Sequence, residues 1–257
     1  MLRAIRKNDG VTVEAWSQRE SSGPFACPSC GSEVILRGGR RRLDHFAHVA
    51  ERKCPHDLGE SENHRRCKAE IWVCLKEAPR VVDLQLERPL GEVRADVSAN
   101  INGVPVAIEV QLSNLSVADI TRRTKEYTRR GIYVLWLARW KPALDSGRYS
   151  PKPWERWLHA AYYGRVYYWR GQTTVVPYHF DPGHVQVPTR TWYDRRGKKK
   201  SARGYSRRSL RWIRPVRGQV LNLLNDFNAR NRDWWKGGDM EIPPSKLYCD
   251  FRPVFWR

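Results

Sequence analysis

The stretch RADVSANINGVPVAIEVQ, residues 94–111, decides the fold of this chain. Its second half, from Val104, is a short apolar run bounded by turn residues, which predicts a buried strand. The run contains Glu109, and a buried carboxylate is costly unless it is paired or bound to a cation. The turn Asn100–Gly103 predicts a hairpin that brings Asp96, on the preceding strand, towards Glu109. Two converging carboxylates predict a site for a hard cation such as Mg²⁺.

The composition of the chain indicates the kind of partner and the cellular location that we expect. The 257 residues include 47 Lys or Arg against 27 Asp or Glu, and the natural partner of so much positive charge is a polyanion. The start of the chain lacks an apolar signal-peptide core, and no window approaches eighteen apolar residues. We therefore expect a cytoplasmic protein with no membrane span. In that reducing compartment, six cysteines favour metal ligands or buried thiols over disulfides.

The N-terminal part combines a hairpin with a cysteine-histidine motif. Asn8-Asp9-Gly10 separates two segments of alternating apolar and polar residues, which predicts a β-hairpin. The motif C-x2-C-x17-H-x5-C follows, and its members are Cys27, Cys30, His48 and Cys54. This is a plausible tetrahedral ligand set for a structural Zn²⁺. Spacing alone does not separate His48 from His45 as the third ligand.

An amphipathic helix is predicted to start at Glu60 and to end before Pro79. Its shared face holds Glu60, His64, Cys67, Ile71 and Cys74. Glu60 can present its carboxylate to the cation of Asp96 and Glu109. The alternative, which the sequence alone favours, is a Glu that interacts with the helix dipole and a solvated Lys68.

The following elements predict an α/β architecture. A strand is expected at Val81–Glu87, before the two strands that carry the acids. Ser116-Val-Ala-Asp119 is a capping box that opens a second helix, which ends before Gly131, and a buried strand follows from Gly131 to Leu137. A helix, three strands, a helix and a strand in this order are typical of α/β folds.

Several motifs in this order are similar to one family. They are CPSCG (27–31), HFAH (45–48), ES-x2-H-x3-K (60–68), RADV (94–97), IEVQLS (108–113), R-x3-Y (123–127) and YVLWL (133–137). Together they resemble the competence protein CoiA-like family, within the PD-(D/E)XK nuclease superfamily, over about residues 1–185. The resemblance implies a restriction-endonuclease-like core with a small N-terminal β/zinc-ribbon module, to which the composition of the chain adds a basic C-terminal extension.

The resemblance also implies roles for individual residues. Asp96 and Glu109 would bind Mg²⁺ or Mn²⁺ together with the carbonyl of Val110, and Glu60 would be a third, helix-borne acid. Gln111 replaces the usual catalytic lysine, although the family commonly shows Glu-x-Gln. An amide can only hydrogen-bond, so the missing charge would have to come from elsewhere.

Four further residues complete the implied site. Lys68 or Lys125 would restore the missing positive charge from a helix. Arg123 and Tyr127, one helical turn apart, would contact the phosphate of the scissile strand.

The C-terminal part is basic and aromatic. Trp154–Tyr163 predicts a short helix, and Val166–Trp169 with Thr173–Tyr178 predicts a hairpin whose aromatic residues favour core packing over base stacking. Residues 186–217 hold twelve Lys or Arg and one acid. We expect this stretch to be flexible until it binds a polyanion. The candidate DNA-binding side chains there are Lys198, Lys199, Lys200, Arg207 and Arg208.

The last part of the chain predicts a short helix at Val220–Phe227, followed by a Trp-rich tail. That tail includes Trp234, Trp235, Phe255 and Trp256, which would dock onto the core or a protein partner. The predicted divisions are an N-terminal module (1–57), a nuclease-like core (58–140), an aromatic extension of that core (141–185) and a basic C-terminal segment (186–257).

Three functions remain open from the sequence. The first is a metal-dependent nuclease acting on single-stranded or branched DNA, in DNA uptake, recombination or mobile-element processing. The second is a DNA-binding scaffold that has lost turnover through Gln111. The third is a zinc-ribbon adaptor whose main partner is a protein.

Overall fold

The computed structural model describes residues 1–39, 42–49, 54 and 60–251 of the chain. The expectations for Phe255 and Trp256 fall outside these residues. The described part is a mixed α/β protein made mostly of β-sheet. Within it, no helix combines the length and the apolar character that crossing a membrane requires.

A small antiparallel sheet forms the N-terminal part. Its strands are β1 (Arg3–Arg6), β2 (Thr12–Glu14), β3 (Phe25–Ala26), β4 (Glu33–Gly39) and β5 (Arg42–His48), in the spatial order β2-β1-β3-β4-β5. The predicted β1–β2 hairpin is confirmed, and its turn is fixed by Asp9, whose carboxylate accepts a hydrogen bond from Val11 N–H at 3.1 Å. A separate apolar cluster supports the sheet, with the rings of Phe25 and Phe46 4.9 Å apart.

The rest of the chain is organised around one ten-stranded sheet. The first elements in chain order are α1 (Glu62–Lys76), β6 (Val81–Leu90), β7 (Val93–Ile101), β8 (Val104–Gln111), α2 (Val117–Arg129) and β9 (Tyr133–Arg139). This is the predicted order of a helix, three strands, a helix and a strand. Helix α2 crosses between the parallel strands β8 and β9, as α/β connections require.

The β7–β8 hairpin has the predicted turn. Asn102 and Gly103 both have positive φ values, 53° and 82°, which a two-residue hairpin turn of this kind needs. Pairing runs from Ile101 with Val104 at the turn to Val97 with Ile108. Asp96 and Glu109 each lie one residue beyond that last pair, so the hairpin places both acids at the end far from the turn.

The sheet continues on the other side of β9. The elements are α3 (Pro153–Ala161), β10 (Val166–Gly171), β11 (Thr174–Val187), β12 (Arg190–Tyr193), β13 (Lys199–Ala202) and β14 (Tyr205–Arg217). Strands β14, β11, β10, β9, β8, β7 and β6 are neighbours in that order. The predicted helix and hairpin of this region are confirmed as α3 and β10–β11.

The aromatic residues of this region are core residues, as predicted. Trp157, Tyr162, Tyr167 and Tyr168 are fully buried. The hydroxyl of Tyr162 accepts a hydrogen bond from Trp136 N–H at 3.0 Å and donates one to the carbonyl of Val134 at 2.8 Å. The hydroxyl of Tyr162 is therefore satisfied inside the core, and these four buried rings are not available for stacking on bases.

The predicted flexibility of residues 186–217 is wrong. Strands β11 and β14 pair along their length, and β12 pairs with β13 to extend them as a two-stranded arm. The tip is closed by Asp194, whose carboxylate accepts hydrogen bonds from the N–H groups of Arg196 and Lys198 at 2.9 and 3.0 Å. Alternating β-branched and aromatic residues favour a strand here more than the dense charge opposes one.

The predicted helix at Val220–Phe227 is also wrong. The last strands are β15 (Leu221–Asn222), β16 (Phe227–Arg232), β17 (Trp235–Gly237), β18 (Met240–Ile242) and β19 (Ser245–Asp250). Leu221 pairs with Val175 of β11, and the carboxylate of Asp226 accepts a hydrogen bond from Asn222 N–H at 2.7 Å. Local bonds from Asn and Asp side chains to the backbone compete with helix formation and favour a turn.

Arg165 provides a test of the C-terminal strand's attachment. Its guanidinium donates to the carboxylate of Asp250, the last residue of β19, and both side chains are 1% exposed. Because Arg165→Met removes a fully buried cationic partner of this carboxylate, we expect a loss of about 3–5 kcal/mol in the free energy of unfolding. Urea denaturation measures it. Arg214→Met, which removes an exposed ion pair to Asp181, is the control and should change stability little.

Candidate functional site

The first candidate site is a cluster of three cysteines and one histidine in the N-terminal part. The donor atoms of Cys27, Cys30, His48 and Cys54 all lie within 4.8 Å of one another. Cys27 Sγ is 3.9 Å from Cys54 Sγ, and Cys30 Sγ is 3.4 Å from His48 Nε2. These are the four residues that the sequence motif selects. The donor set of the group can hold a metal ion such as Zn²⁺.

A tight turn after β3 positions the first two cysteines. The N–H of Gly31 donates to the carbonyl of Cys27 at 2.9 Å, and Gly31 has a φ of 70°, which a side chain would strain. The N–H of Ser29 donates to Cys27 Sγ at 3.4 Å. Burial would raise the pKa of the Cys30 thiol, but hydrogen bonds involving Ser32, His48 and Cys27 lower it to about 6.

The structure separates the two candidate histidines. His48 is the last residue of β5 and belongs to the cluster. His45 Nδ1 instead lies 3.0 Å from the carbonyl of Leu43 and is not part of the cluster. In a strand, residues three apart lie on opposite faces, so the two imidazoles cannot exchange roles without a shift in register.

The second candidate site is a cleft of about 560 Å³ between α1, the β7–β8 hairpin and α2. Two acids of its lining, Glu60 and Asp96, lie beside His64, and the donor atoms of these three side chains lie within 4.8 Å of one another. Its basic lining consists of Arg94, Arg122 and Arg123. A cleft with acids grouped on one wall and arginines nearby can hold a cation together with a phosphate group.

His64 connects the two acids of this cleft. Its Nδ1 lies 2.8 Å from Glu60 Oε1, and its Nε2 lies 3.0 Å from Asp96 Oδ2. Burial would lower the pKa of His64, but the charge of Asp96 and the hydrogen bonds to both carboxylates raise it to about 10. The imidazolium therefore occupies the position between the acids with a positive charge.

Asp96 is fixed from two sides. Besides His64, the N–H of Val110 donates to Asp96 Oδ2 at 2.9 Å, across the β7–β8 hairpin. Burial would raise the pKa of Asp96, but the charge of His64, its hydrogen bond and the charges of Lys68 and Arg123 hold that pKa far below its ordinary value. Asp96 is therefore an ionised carboxylate in a defined position.

Lys68 lies below this group and is fully buried. Its ammonium contacts Glu60, lies 2.6 Å from Glu87 Oε1 and lies 4.0 Å from Asp96 Oδ1. Burial would lower the pKa of Lys68, but the charges of Glu87, Glu60 and Asp96 raise it above its ordinary value. Of the two lysines that the sequence suggested, Lys68 supplies a charge beside Asp96, while Lys125 is exposed on α2.

Glu60 differs from its predicted placement. Helix α1 begins at Glu62 with Ser61 as its N-cap, so Glu60 precedes the helix and is not borne by it. The side chain of Ser61 accepts a hydrogen bond from His64 N–H and caps the helix, which therefore begins later than the hydrophobic face alone suggested. The Glu60 carboxylate still faces the helix residues His64 and Lys68.

Glu109 has partners of its own and is not in the cation-binding group of the cleft. Arg123 Nη2 lies 2.5 Å from Glu109 Oε1, and the hydroxyl of Tyr127 donates to the same oxygen. The other oxygen, Oε2, is buried without a hydrogen-bond partner. Burial raises the pKa of Glu109 to about 7, although the charge of Arg123 opposes this shift.

The remaining predicted residues divide between the cleft and other places. Val110, Gln111 and Arg123 line the cleft, and Gln111 Nε2 donates to the carbonyl of Ser113 at 2.7 Å. Tyr127 is fully buried behind Glu109, so its expected contact with phosphate is replaced by a hydrogen bond to that carboxylate. The basic residues lie on the arm, outside the cleft, and are Lys198, Lys199, Lys200, Arg207 and Arg208.

Sequence reasoning missed two residues of this network. His64 was placed on the shared face of the helix with Glu60 and in a motif but was given no role at the site, and Glu87 was not singled out. The sequence does contain a signal for His64, because Glu60, His64 and Lys68 are spaced by four residues, a spacing that puts side chains on the same face of a helix. Glu87 carried no local signal, since its contact with Lys68 depends on how β6 packs against α1.

Comparison with known proteins covers both candidate sites. The family model described as "Competence protein CoiA, N-terminal domain" matches residues 8–57. The model described as "Competence protein CoiA, nuclease-like domain" matches residues 60–152. Together they cover more than half of the chain.

The chain belongs to the CoiA-like family. Competence protein CoiA of Bacillus subtilis (strain 168) is 30% identical over 114 residues, which are 44% of this chain and 31% of that protein. The chain thus aligns with less than a third of the length of the curated relative. No solved structure gives a significant match.

The two candidate sites fall in different matched domains. The cysteine-histidine cluster lies within the CoiA N-terminal domain, and the cleft lies within the CoiA nuclease-like domain. The arm formed by β12, β13 and the ends of β11 and β14 lies beyond both matches. The CoiA-like part therefore contains both candidate metal sites, and the arm has to be interpreted from its own residues.

The ion pairs of Lys68 below the cleft predict that replacing this lysine strongly lowers the stability of the protein. Lys68→Met should lower the free energy of unfolding by about 3–5 kcal/mol, because it leaves Glu87 buried without its cation. Chemical denaturation measures the difference. Lys125→Met removes a lysine from the exposed face of α2 and should leave stability nearly unchanged. Equal effects of the two substitutions would contradict the assigned network.

Proposed function

We propose that this CoiA-like protein is a divalent-metal-dependent DNA nuclease that acts in DNA uptake, recombination or mobile-element processing. The observation that carries the proposal is the cleft of the nuclease-like domain, which groups Glu60, His64 and Asp96 beside three arginines. We further propose that its core is of the PD-(D/E)XK type, because Asp96 and the Glu109-x-Gln111 motif lie on adjacent strands flanked by α1 and α2.

The residues present fit a divalent cation. Asp96 is held as an ionised carboxylate, and one buried oxygen each of Glu60 and Glu109, Oε2 in both, lacks a hydrogen-bond partner, so acceptors remain available to a metal ion. Asp96, Glu60 and Glu109 would hold Mg²⁺ or Mn²⁺, together with the carbonyl of Val110. When bound, the cation would lower the pKa of a water molecule and neutralise charge on the phosphate.

The other residues of the cleft have positioning roles in this proposal. The N–H of Val110 fixes the carboxylate of Asp96, and Tyr127 fixes that of Glu109. Arg94, Arg122 and Arg123 would orient the phosphate, with Arg123 exchanging between Glu109 and the substrate. Lys68 keeps a permanent positive charge beside Asp96, the charge that Gln111 cannot supply.

One observation supports the alternative of a DNA-binding scaffold without turnover. His64, Lys68 and Arg123 already pair with the acids that a cation would need. A scaffold of this kind would bind DNA in the same cleft and leave it uncleaved. A zinc-ribbon adaptor with a protein partner would instead show no affinity for DNA.

Asp96 provides the test of the nuclease proposal. Purified protein is incubated with labelled single-stranded and double-stranded DNA and with Mg²⁺ or Mn²⁺. Asp96→Asn should reduce the cleavage rate at least about 100-fold, since it removes a metal ligand, whereas loss of an outer-shell partner already costs about 10–100-fold. Glu92→Gln, which changes another acid lining the same cleft, is the matched control and should retain cleavage.

Each alternative has its own result. Cleavage that survives in Asp96→Asn or in Glu109→Ala would contradict the assigned site. DNA binding without cleavage, under both metals, would support the scaffold. Absence of any DNA affinity would support the adaptor.

We also propose that the cysteine-histidine cluster holds one structural Zn²⁺. A four-ligand site of this kind is closed and stabilises a small sheet whose apolar cluster is limited in size. His48→Ala should lower the zinc content well below one ion per chain, as measured by elemental analysis of folded protein. His45→Ala, three residues away, should leave one zinc per chain. Substoichiometric zinc in the unmodified protein would contradict the assignment.

A further inference from the structure

The structure contains a second basic and aromatic surface, remote from the cleft in the fold. This surface is the arm described above, which consists of β12, β13 and the adjoining ends of β11 and β14. We call its residues 184–208 the basic ribbon. It holds nine Lys or Arg and one acid, Asp194. That acid is used internally, because it closes the tip of the ribbon through hydrogen bonds to the backbone. Apart from Asp194, every acidic or basic side chain of the ribbon is therefore a lysine, an arginine or the histidine His184.

The ribbon also exposes large aromatic side chains. Trp192, Tyr193 and Tyr205 are 49%, 69% and 56% exposed. Most of the aromatic residues of α3, β10 and β11 are instead buried in the core, whereas these three rings lie at the surface of the ribbon. Exposed aromatic rings on a charged surface are costly in water and point to a ligand with flat, apolar faces.

The strand register distributes these rings among the cations. Trp192 lies opposite Lys200, and Tyr193 lies opposite Lys199. Because neighbouring residues of a strand point to opposite faces, each face of the ribbon carries one aromatic ring beside one lysine. At the other end of the ribbon, Tyr205 lies opposite Val187, and Arg207 lies opposite Val185.

A groove of about 750 Å³ joins part of this surface into one site. Trp192 and Tyr205 line it together with Arg190, Arg203 and Arg207. Two rings and three guanidinium groups around one groove match the repeating chemistry of a polynucleotide with unpaired bases. Bases stack on aromatic rings, while arginines pair with the phosphates.

We infer that the basic ribbon binds single-stranded or locally unpaired nucleic acid, with bases stacked on Trp192 and Tyr205 and phosphates paired with the surrounding arginines and lysines. A duplex keeps its bases stacked on each other, so it can use the charges of the ribbon but not its rings. The inference names the substrate class of the proposed nuclease and rests on that proposal only in taking nucleic acid as the ligand.

The test measures binding without cleavage. Full-length protein is titrated, in EDTA, into a labelled oligothymidine of about 20 nucleotides, which exceeds the ~4–16 nucleotides that single-strand binders typically cover. A labelled duplex of the same length is titrated in parallel. Without divalent cations the result does not depend on whether the cleft is catalytic, so failure of the nuclease proposal and failure of this inference are distinguishable.

Trp192→Ala should weaken single-strand binding roughly 5- to 100-fold, the range expected for the loss of one stacked base, and should leave duplex binding nearly unchanged. Trp192→Phe should restore most of the affinity. Trp234→Ala removes a tryptophan that is 56% exposed and lies outside the ribbon, and it should have no effect. Thermal unfolding checks that the variants remain folded, as their exposed positions predict.

The charged residues should behave differently. Lys200→Gln and Arg207→Gln should weaken single-strand and duplex binding alike. Each should also make the slope of log K against log salt concentration less steep by ~0.7 for a single strand, the contribution of one phosphate contact. Equal loss of single-strand and duplex binding in Trp192→Ala, or no loss of either, would overturn the inference. Binding of an acidic polypeptide as tightly as the oligothymidine would also overturn it.

Discussion

The interaction on which the candidate site depends is the burial of the Lys68 ammonium among carboxylates. A lysine without access to water is stable only where anions surround it, and Glu60, Glu87 and Asp96 do so from three different parts of the chain. Helix α1, strand β6 and strand β7 are thereby fixed relative to one another. The cleft has its shape because these elements cannot separate without exposing an unpaired charge to the apolar core.

The same constraint explains how the acids of the cleft differ. Asp96 is surrounded by positive groups and by a backbone N–H, so it is ionised. Glu109, one strand away, is more deeply enclosed, and its cationic partner Arg123 also lines the cleft. Two carboxylates at corresponding positions of one hairpin thus have opposite shifts in pKa, which result from burial and from the number of cationic partners.

Much of this architecture was predictable, because its signals are local. The Asn102-Gly103 turn sets the β7–β8 register, and the capping serine Ser116 starts α2. The spacing of Cys27, Cys30 and Cys54 was sufficient to predict the candidate metal site, although the choice of His48 over His45 needed the structure. The contacts of Glu87 and Tyr127 were not predictable, since they depend on the packing of elements distant in sequence. The basic ribbon was misjudged because charge density was given more weight than the strand pattern beneath it.

The two carboxylate oxygens of Glu87 bind different parts of the protein. One accepts a hydrogen bond from Lys68, while the other accepts one at 2.9 Å from the N–H of Leu2, next to β1. The N-terminal sheet and the floor of the cleft therefore share a single carboxylate. Thermodynamic linkage requires that the coupling free energy between the sheet and the cleft have the same value in both directions. A ligand that orders the cleft would stabilise the N-terminal sheet by the same amount that an ordered sheet favours the ligand.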